Sequence, residues 1–308
     1  MSRIENHFGI SVHSSNLRIV GLTSGEEGIK LSLIEQIPLE EQINFRSDTK
    51  VKLSATLQTA IDKLSLSHKL NPKSVSFTLP GYLFLTANLP YDNTLLQQDL
   101  EREFKWEFSV LFPFVKQDDL VLRFYETKKN NFFQSNIAIV TAIERKFLLL
   151  LEELCVNNNF KFRYVDHSHF ASDLALCFSG RDLIRGFTLS LYFEDQFFTI
   201  SVNLDGLPVW FRGFGLDRDN FNPDDIFYSL KNQAPFRLKK ELIENCFIAG
   251  DNIPDQVTDK LSDYFSKEPL TFNPFLKITP DKNVASGNYF RKENFLFTSA
   301  AGIAYRIS

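Results

Sequence analysis

Residues 8 to 37 and residues 186 to 212 follow one pattern, and this duplication constrains the fold more than any other feature of the chain. The first stretch runs HFGISVH, turns at Ser14 and Ser15, continues as NLRIVGL, turns between Ser24 and Gly28, and ends as IKLSLIEQIPL. The second runs GFTLSLYF, turns between Glu194 and Gln196, continues as FFTISVNL, turns at Asp205 and Gly206, and ends as LPVWFRG. Apolar residues often fall at alternate positions, the period of a half-buried strand. Each stretch therefore reads as a three-stranded antiparallel meander, and helical segments follow both. A meander feeding helices, repeated about half a chain later, predicts two lobes that are copies of one another.

At 308 residues with 44% hydrophobic content, the chain can fill a substantial core in each lobe. Thirty-two phenylalanines against a single methionine mean that these cores are packed with aromatic rings. The net charge is −4, and the densest basic clusters are short (Lys128 and Lys129; Arg237, Lys239 and Lys240), so no footprint for nucleic acid is present. Cys155, Cys177 and Cys246 have no metal-ligand or redox spacing, and the N-terminus lacks the basic-then-apolar order of a signal peptide. Both point to a reducing cytoplasm. FLLLLEEL at 147 to 154 is broken by Glu152 and Glu153, far short of the roughly 18 residues a membrane span needs. Recruitment to the inner membrane is expected through a partner, without direct insertion.

After the first meander, Leu53, Leu57, Ala60, Ile61 and Leu64 share one face of an amphipathic helix over 51 to 67. Strands follow at 74 to 80 and 82 to 88, then Pro90, then a helix from about Asn93 to Phe112 with Asp92 or Asn93 as its N-cap. A hairpin joined at Lys128 to Asn131 comes next, then helix 143 to 156, strand 160 to 165 and helix 168 to 178. Past the second meander, helices are expected near 223 to 232 and 236 to 244, a strand at 246 to 250, a helix at 254 to 265, a short strand near 269 to 272, and a final helix at 293 to 306. The expected division is a first lobe over 1–183 and a second over 184–308. The final helix is expected to pack back toward the first lobe.

Several stretches, in order along nearly the whole chain, resemble one known family. FGISVHSSNLRIVGL is similar to the family's opening strand, phosphate loop and second strand, and LPGYLFLTANLP to its strand pair before an inserted subdomain. LEREFKWEFSVLFPF resembles its helix ending in a tryptophan-glutamate pair and an aromatic-proline-phenylalanine stop. IAIVTAIERKFLLLLEELCVNNNFKFRYVDHSHFASDLAL, DGLPVWFRGFG, and FNPFLKI with FTSAAGIAYRIS match its later elements. The family is PilM, the cytoplasmic actin-like component of type IV pilus machinery, with FtsA and the cytoplasmic part of GspL as more distant likenesses. The resemblance implies an α/β, two-lobed, actin-like (ribonuclease H-like) fold. It has duplicated mixed sheets, an inserted subdomain over about 90–165 of the first lobe, and a cleft that in most relatives holds ATP.

The resemblance also implies what that cleft requires: an aspartate opening each phosphate loop to position a metal, and glycines that let backbone N–H groups approach phosphate. Here the first loop's D-x-G-S-S stands as Ser11, Val12, His13, Ser14 and Ser15, without the carboxylate or the glycine. In the second loop the aspartate and glycine fall on Ser190 and Tyr192, and the third motif's glycine pair is Ala249 and Gly250, followed by Asp251. Residues 212 to 246 are too few for the full upper subdomain of the second lobe, which is expected to be reduced or missing. These losses predict a pseudo-ATPase with no cofactor; magnesium-ATP, held through Ser14, Ser15 and main-chain N–H groups, is the alternative.

Asp166, His167, Ser168 and His169 form the cluster with most metal-ligand character, but they sit where a strand enters a helix. Asp166 or Ser168 reads there as a helix cap, the histidines as ordinary surface or joint residues, and no metal site is expected. No G-x-S-x-G is present, which argues against a hydrolase. The helix carrying Phe104, Trp106, Phe108, Leu111, Phe112 and Phe114 holds more aromatic surface than one face can hide. In the resembling family, the cytoplasmic tail of the inner-membrane protein PilN lies in a groove beside the inserted subdomain. The resemblance thus implies a PilN-like partner near Tyr82, Phe84 and Phe104 to Phe114, together with other pilus or secretion components. An active actin-like ATPase governing assembly, and a structural actin-like protein of another complex, remain the other readings.

Overall fold

The computed structural model describes residues 6–25, 28–68, 74–127, 135–216, 224, 228, 240–253 and 255–306. The first meander is β1 (His7–Val12), β2 (Asn16–Gly25) and β3 (Gly28–Pro38), followed by α1 (Lys50–His68) and β4 (Ser74–Leu79). Next come β5 (Phe84–Pro90), α2 (Gln97–Leu111), β6 (Leu120–Thr127) and β7 (Ile137–Glu144). They are followed by α3 (Arg145–Asn157), β8 (Lys161–His167) and α4 (Ser168–Ser179). The second meander is β9 (Phe187–Phe193), β10 (Phe197–Leu204) and β11 (Leu207–Gly215), after which come β12 (Ile243–Gly250) and α5 (Asp255–Phe265). The chain closes with β13 (Thr279–Pro280), α6 (Lys282–Ser286), α7 (Asn288–Arg291) and α8 (Thr298–Tyr305).

One sheet runs β13-β3-β2-β1-β4-β8 and another β11-β10-β9-β12. In each, the meander is antiparallel and the next strand joins its first strand in parallel: β4 on β1, β12 on β9. Leu270 bridges Phe247 in parallel on the far side of β12, where β8 stands beside β4 in the first sheet. The duplication therefore extends to five strand positions, the actin-like topology. β1 and β9 are buried at every position because each lies between neighbours and is covered on both faces, so apolar and polar residues do not alternate by exposure there.

By contacts, the chain divides into two compact units. The first comprises Met1–Leu83, Phe147–Arg181 and Thr271–Ser308. Its last helix, α8, is fully buried and lies against α4, β1 and β4. Two glycines permit this approach: a Cβ on Gly9 would stand 2.2 Å from the Ala300 carbonyl oxygen, and one on Gly302 only 1.6 Å from that of Ala171. The second unit comprises Phe84–Lys146 and Asp182–Leu270. Within it, a three-stranded sheet, β5-β7-β6, carries α2, whose Leu100, Phe104 and Phe108 pack on Leu89, Leu120, Ala138 and Val140. The Asn88 side chain satisfies the edge of β11: its Nδ2 donates to the Phe211 carbonyl at 2.8 Å and its Oδ1 accepts from the Phe211 N–H at 3.0 Å.

Several local expectations differ from what is observed. The segment that leaves and rejoins the first sheet is 84–146 rather than about 90–165, because β8 pairs in parallel with β4. α2 begins at Gln97, not Asn93, since Asp92 Oδ1 instead accepts from the Thr94 N–H and hydroxyl at 2.9 and 2.8 Å and closes a separate turn. A 3-10 turn, Gly81–Leu83, precedes β5, another, Lys240–Leu242, stands where a helix to 244 was expected, and Asn294–Phe297 is 3-10 ahead of α8. The helix near 223 to 232 and the reduced upper subdomain fall on residues outside those described, apart from Asp224 and Tyr228. The turn at Lys128 to Asn131 and the middle of the turn between Ser24 and Gly28 also lie outside them.

Candidate functional site

The first-loop residues lie in the first unit. Ser11 sits inside β1, 0% exposed, paired with Thr78 of β4 on one side and Arg18 of β2 on the other. Its hydroxyl lies 2.9 Å from His13 Nε2 and accepts from the Ser299 hydroxyl at 2.8 Å. The three side chains thus form one buried hydrogen-bonded chain, in which Ser11 accepts from Ser299 and shares a hydrogen bond with His13. The His13 N–H donates to the Asn16 carbonyl at 2.9 Å, which makes Ser14 and Ser15 a tight turn between β1 and β2. That turn is tied down through its own carbonyls: Ser14 accepts from the Ile43 N–H at 2.8 Å and Ser15 from the Leu39 N–H at 2.9 Å.

The remaining loop residues lie in the second unit. Ser190 and Tyr192 occupy β9, opposite Ser201 and Thr199 of β10, with Phe247 and Ala249 of β12 as their other neighbours. Tyr192 is 1% exposed, a full aromatic side chain packed into the interior. Gly250 has φ of +100°, and a Cβ there would stand 2.0 Å from the Phe193 carbonyl oxygen. The same oxygen accepts from the Asp251 N–H at 2.8 Å. Local chain geometry is thus enough to require glycine at 250. Phe193 and Ser299 were not singled out in the sequence, and FTSAAGIAYRIS gives no sign of which serine reaches β1.

The Asp166 cluster differs from its expected description. His167 and His169 are buried, not at the surface, and the cap of α4 is His167, whose Nδ1 accepts from the His169 N–H at 3.0 Å. Asp166 accepts from the His167 N–H at 2.9 Å and forms an ion pair with Arg306. Burial pushes the Asp166 carboxyl up against the opposing pull of Arg306, and burial, helped by His169, holds His167 well below the ordinary imidazole value. Among the described residues no group of three or more His, Cys, Asp or Glu is placed to hold a metal ion. Burial raises the Cys155 and Cys246 thiols to about 12, which leaves both unreactive.

The aromatic set divides by burial. Phe104 and Phe108 are 1% exposed and belong to the core beneath α2, while Phe112 is partly buried against it. Trp106 and Phe114 are 62% and 77% exposed. Tyr82 falls in the first unit, its ring covered by the Arg46 guanidinium at 5.2 Å and its carbonyl accepting from the same group at 2.7 Å. Phe84 opens β5 as a half-buried residue of the second unit. No helix among the described residues is long and apolar enough to cross a membrane.

The sequence matches no family model and no curated protein. Among solved structures, a chain of a PilM–PilN type IV pilus biogenesis complex matches with a TM-score of 0.72 at 15% identity, over 99% of this chain and 98% of that one. A protein of unknown function with an actin-like ATPase fold from Bacteroides thetaiotaomicron VPI-5482 gives 0.49 at 13% identity, over 94% of each chain. The cytoplasmic domain of EpsL, an inner membrane component of the type II secretion system of Vibrio cholerae, gives 0.48 at 9% identity, over 88% of this chain and 98% of that one. The first of these likenesses extends from end to end of both chains, and the protein has the fold of its counterpart in the PilM–PilN complex.

Proposed function

We propose that the protein is a PilM-like cytoplasmic scaffold of a type IV pilus or related secretion machine, which binds the cytoplasmic tail of a PilN-like inner-membrane protein and does not turn over ATP. The observation that carries the reading is the whole-length likeness to a chain of the PilM–PilN complex. The chemistry of the loop residues supports its second half. Where the resemblance calls for a metal-positioning carboxylate, Ser11 is a neutral hydroxyl already engaged by His13 and Ser299. Where it calls for a phosphate-approaching glycine in the second loop, the chain carries a buried tyrosine ring. No cofactor is needed for such a scaffold, and recruitment to the inner membrane follows from the partner.

Capture of the tail of a single-span inner-membrane protein encoded beside this one tests the reading. An extended tail binds through main-chain hydrogen bonds and apolar side chains set in pockets. Trp106→Asp, at an exposed position, should abolish capture with a stability change within about 0.5 kcal/mol. Phe104→Ala, in the core, should cost about 3–5 kcal/mol of stability. Capture unchanged by Trp106→Asp removes the assigned surface, and no capture by the unaltered protein contradicts the scaffold.

A further inference from the structure

On α2, positions three or four apart share a face, and Asp99, Glu103, Trp106 and Val110 follow that spacing along the side opposite Leu100, Phe104 and Phe108. Trp106 and Val110 are 62% and 59% exposed, with Leu96 exposed ahead of them and Leu111 and Phe114 at the far end. A helix whose inner face is already satisfied by a core has no structural need for a second apolar stripe on its outer face. The charges around that stripe are one-sided. Within α2 itself, four carboxylates (Asp99, Glu101, Glu103 and Glu107) stand against two cations (Arg102 and Lys105). Arg102 is taken by Asp99. Glu103 Oε2 is shielded from solvent and has no hydrogen-bond partner among the described residues. Glu103 and Glu107 form no ion pair there either.

We infer that the outer face of α2 is a docking surface for a cationic apolar segment, one whose leucine- or isoleucine-like side chains cover Trp106 and Val110 while lysine or arginine neutralises Glu103 and Glu107. A stripe flanked by carboxylates that form no ion pair among the described residues disfavours an acidic partner, which would bring like charges together, and selects a basic one. The surface next to an anionic membrane offers such segments, because cytoplasmic residues flanking a membrane span are enriched in lysine and arginine. That source rests on the scaffold reading; the charge preference itself rests on α2 alone.

The test uses the full chain and two labelled synthetic peptides of one length, one alternating leucine pairs with lysine and the other identical but with glutamate for each lysine. By fluorescence anisotropy at 50 mM salt the lysine peptide should bind at least tenfold more tightly than the glutamate peptide, and its affinity should fall at least tenfold by 500 mM salt. Glu103→Lys with Glu107→Lys should weaken the lysine peptide at least tenfold. Glu152→Lys with Glu268→Lys, the same charge change away from α2, should leave it within twofold, provided circular dichroism shows both variants folded. Equal binding of the two peptides, equal loss in both double variants, or no binding at all overturns the proposal. Tail capture lost in Trp106→Asp but unchanged in Glu103→Lys/Glu107→Lys would overturn it while leaving the scaffold reading intact.

Discussion

Ser299 Oγ donates to Ser11 Oγ at 2.8 Å, joining residues 288 positions apart in the chain. Ser11 is fully buried, so its hydroxyl cannot exchange these partners for water. Replacing it by alanine removes one hydrogen-bond partner from the Ser299 hydroxyl and from His13 Nε2 at once.

Ser11→Ala should therefore cost about 1–3 kcal/mol of stability. Ser299→Ala removes one donor and should cost about 1 kcal/mol. Since both act on one chain of hydrogen bonds, the double variant should lose less than the sum of the two. Urea unfolding of the three variants measures this, and strict additivity would mean that the side chains act independently.

Gly250 carries the second prediction. At φ +100° with the Phe193 carbonyl oxygen in the way, Gly250→Ala adds backbone strain to a steric clash. The loss should be about 2 kcal/mol or more, in protein free of any ligand. A neutral outcome would mean that the glycine is not required by the local chain path.

Acid should destabilise the protein through His7, whose Nδ1 lies 2.8 Å from Ser74 Oγ. Burial first, and then the charge of Arg163, lowers its imidazole from 6.5 to about 4. The folded state holds the neutral form, so the contribution is complete above about 6.5 and is lost as pH falls toward about 4. Between pH 7 and pH 5 this amounts to about 2 kcal/mol. Buried His167 acts in the same direction and Asp166, pushed up by burial, in the opposite one. His7→Gln should therefore flatten the pH dependence by about that amount relative to the unaltered protein, measured by urea midpoints at the two values. An unchanged slope would contradict the burial argument.

Alternation within each meander made the strands of both meanders legible, since strand period is a local property of the chain. Side-chain partners supplied by distant residues were not legible. Whether an aromatic on α2 points inward follows from the sheet beneath it: Phe104 and Trp106 look alike in sequence, yet one is core and the other surface. The start of α2 was misplaced because Asp92 suits a cap equally well and is engaged by Thr94 instead. That Ser11 to Ser15 carry neither Asp nor Gly was visible, but the use made of Ser11 and His13 was not, because Ser299 arrives from the opposite end of the chain. For Gly250, the Phe193 carbonyl supplies a local reason for glycine that the sequence did not display.

Thermal unfolding with and without millimolar magnesium-ATP tests the central claim most directly. A ligand at 100 times its dissociation constant adds about 2.7 kcal/mol to the folded state. In a domain of this size that corresponds to a midpoint rise of about 5 °C or more. The account predicts no shift, with or without magnesium. A magnesium-dependent rise of that size would contradict it and make the protein a nucleotide-binding member of its fold.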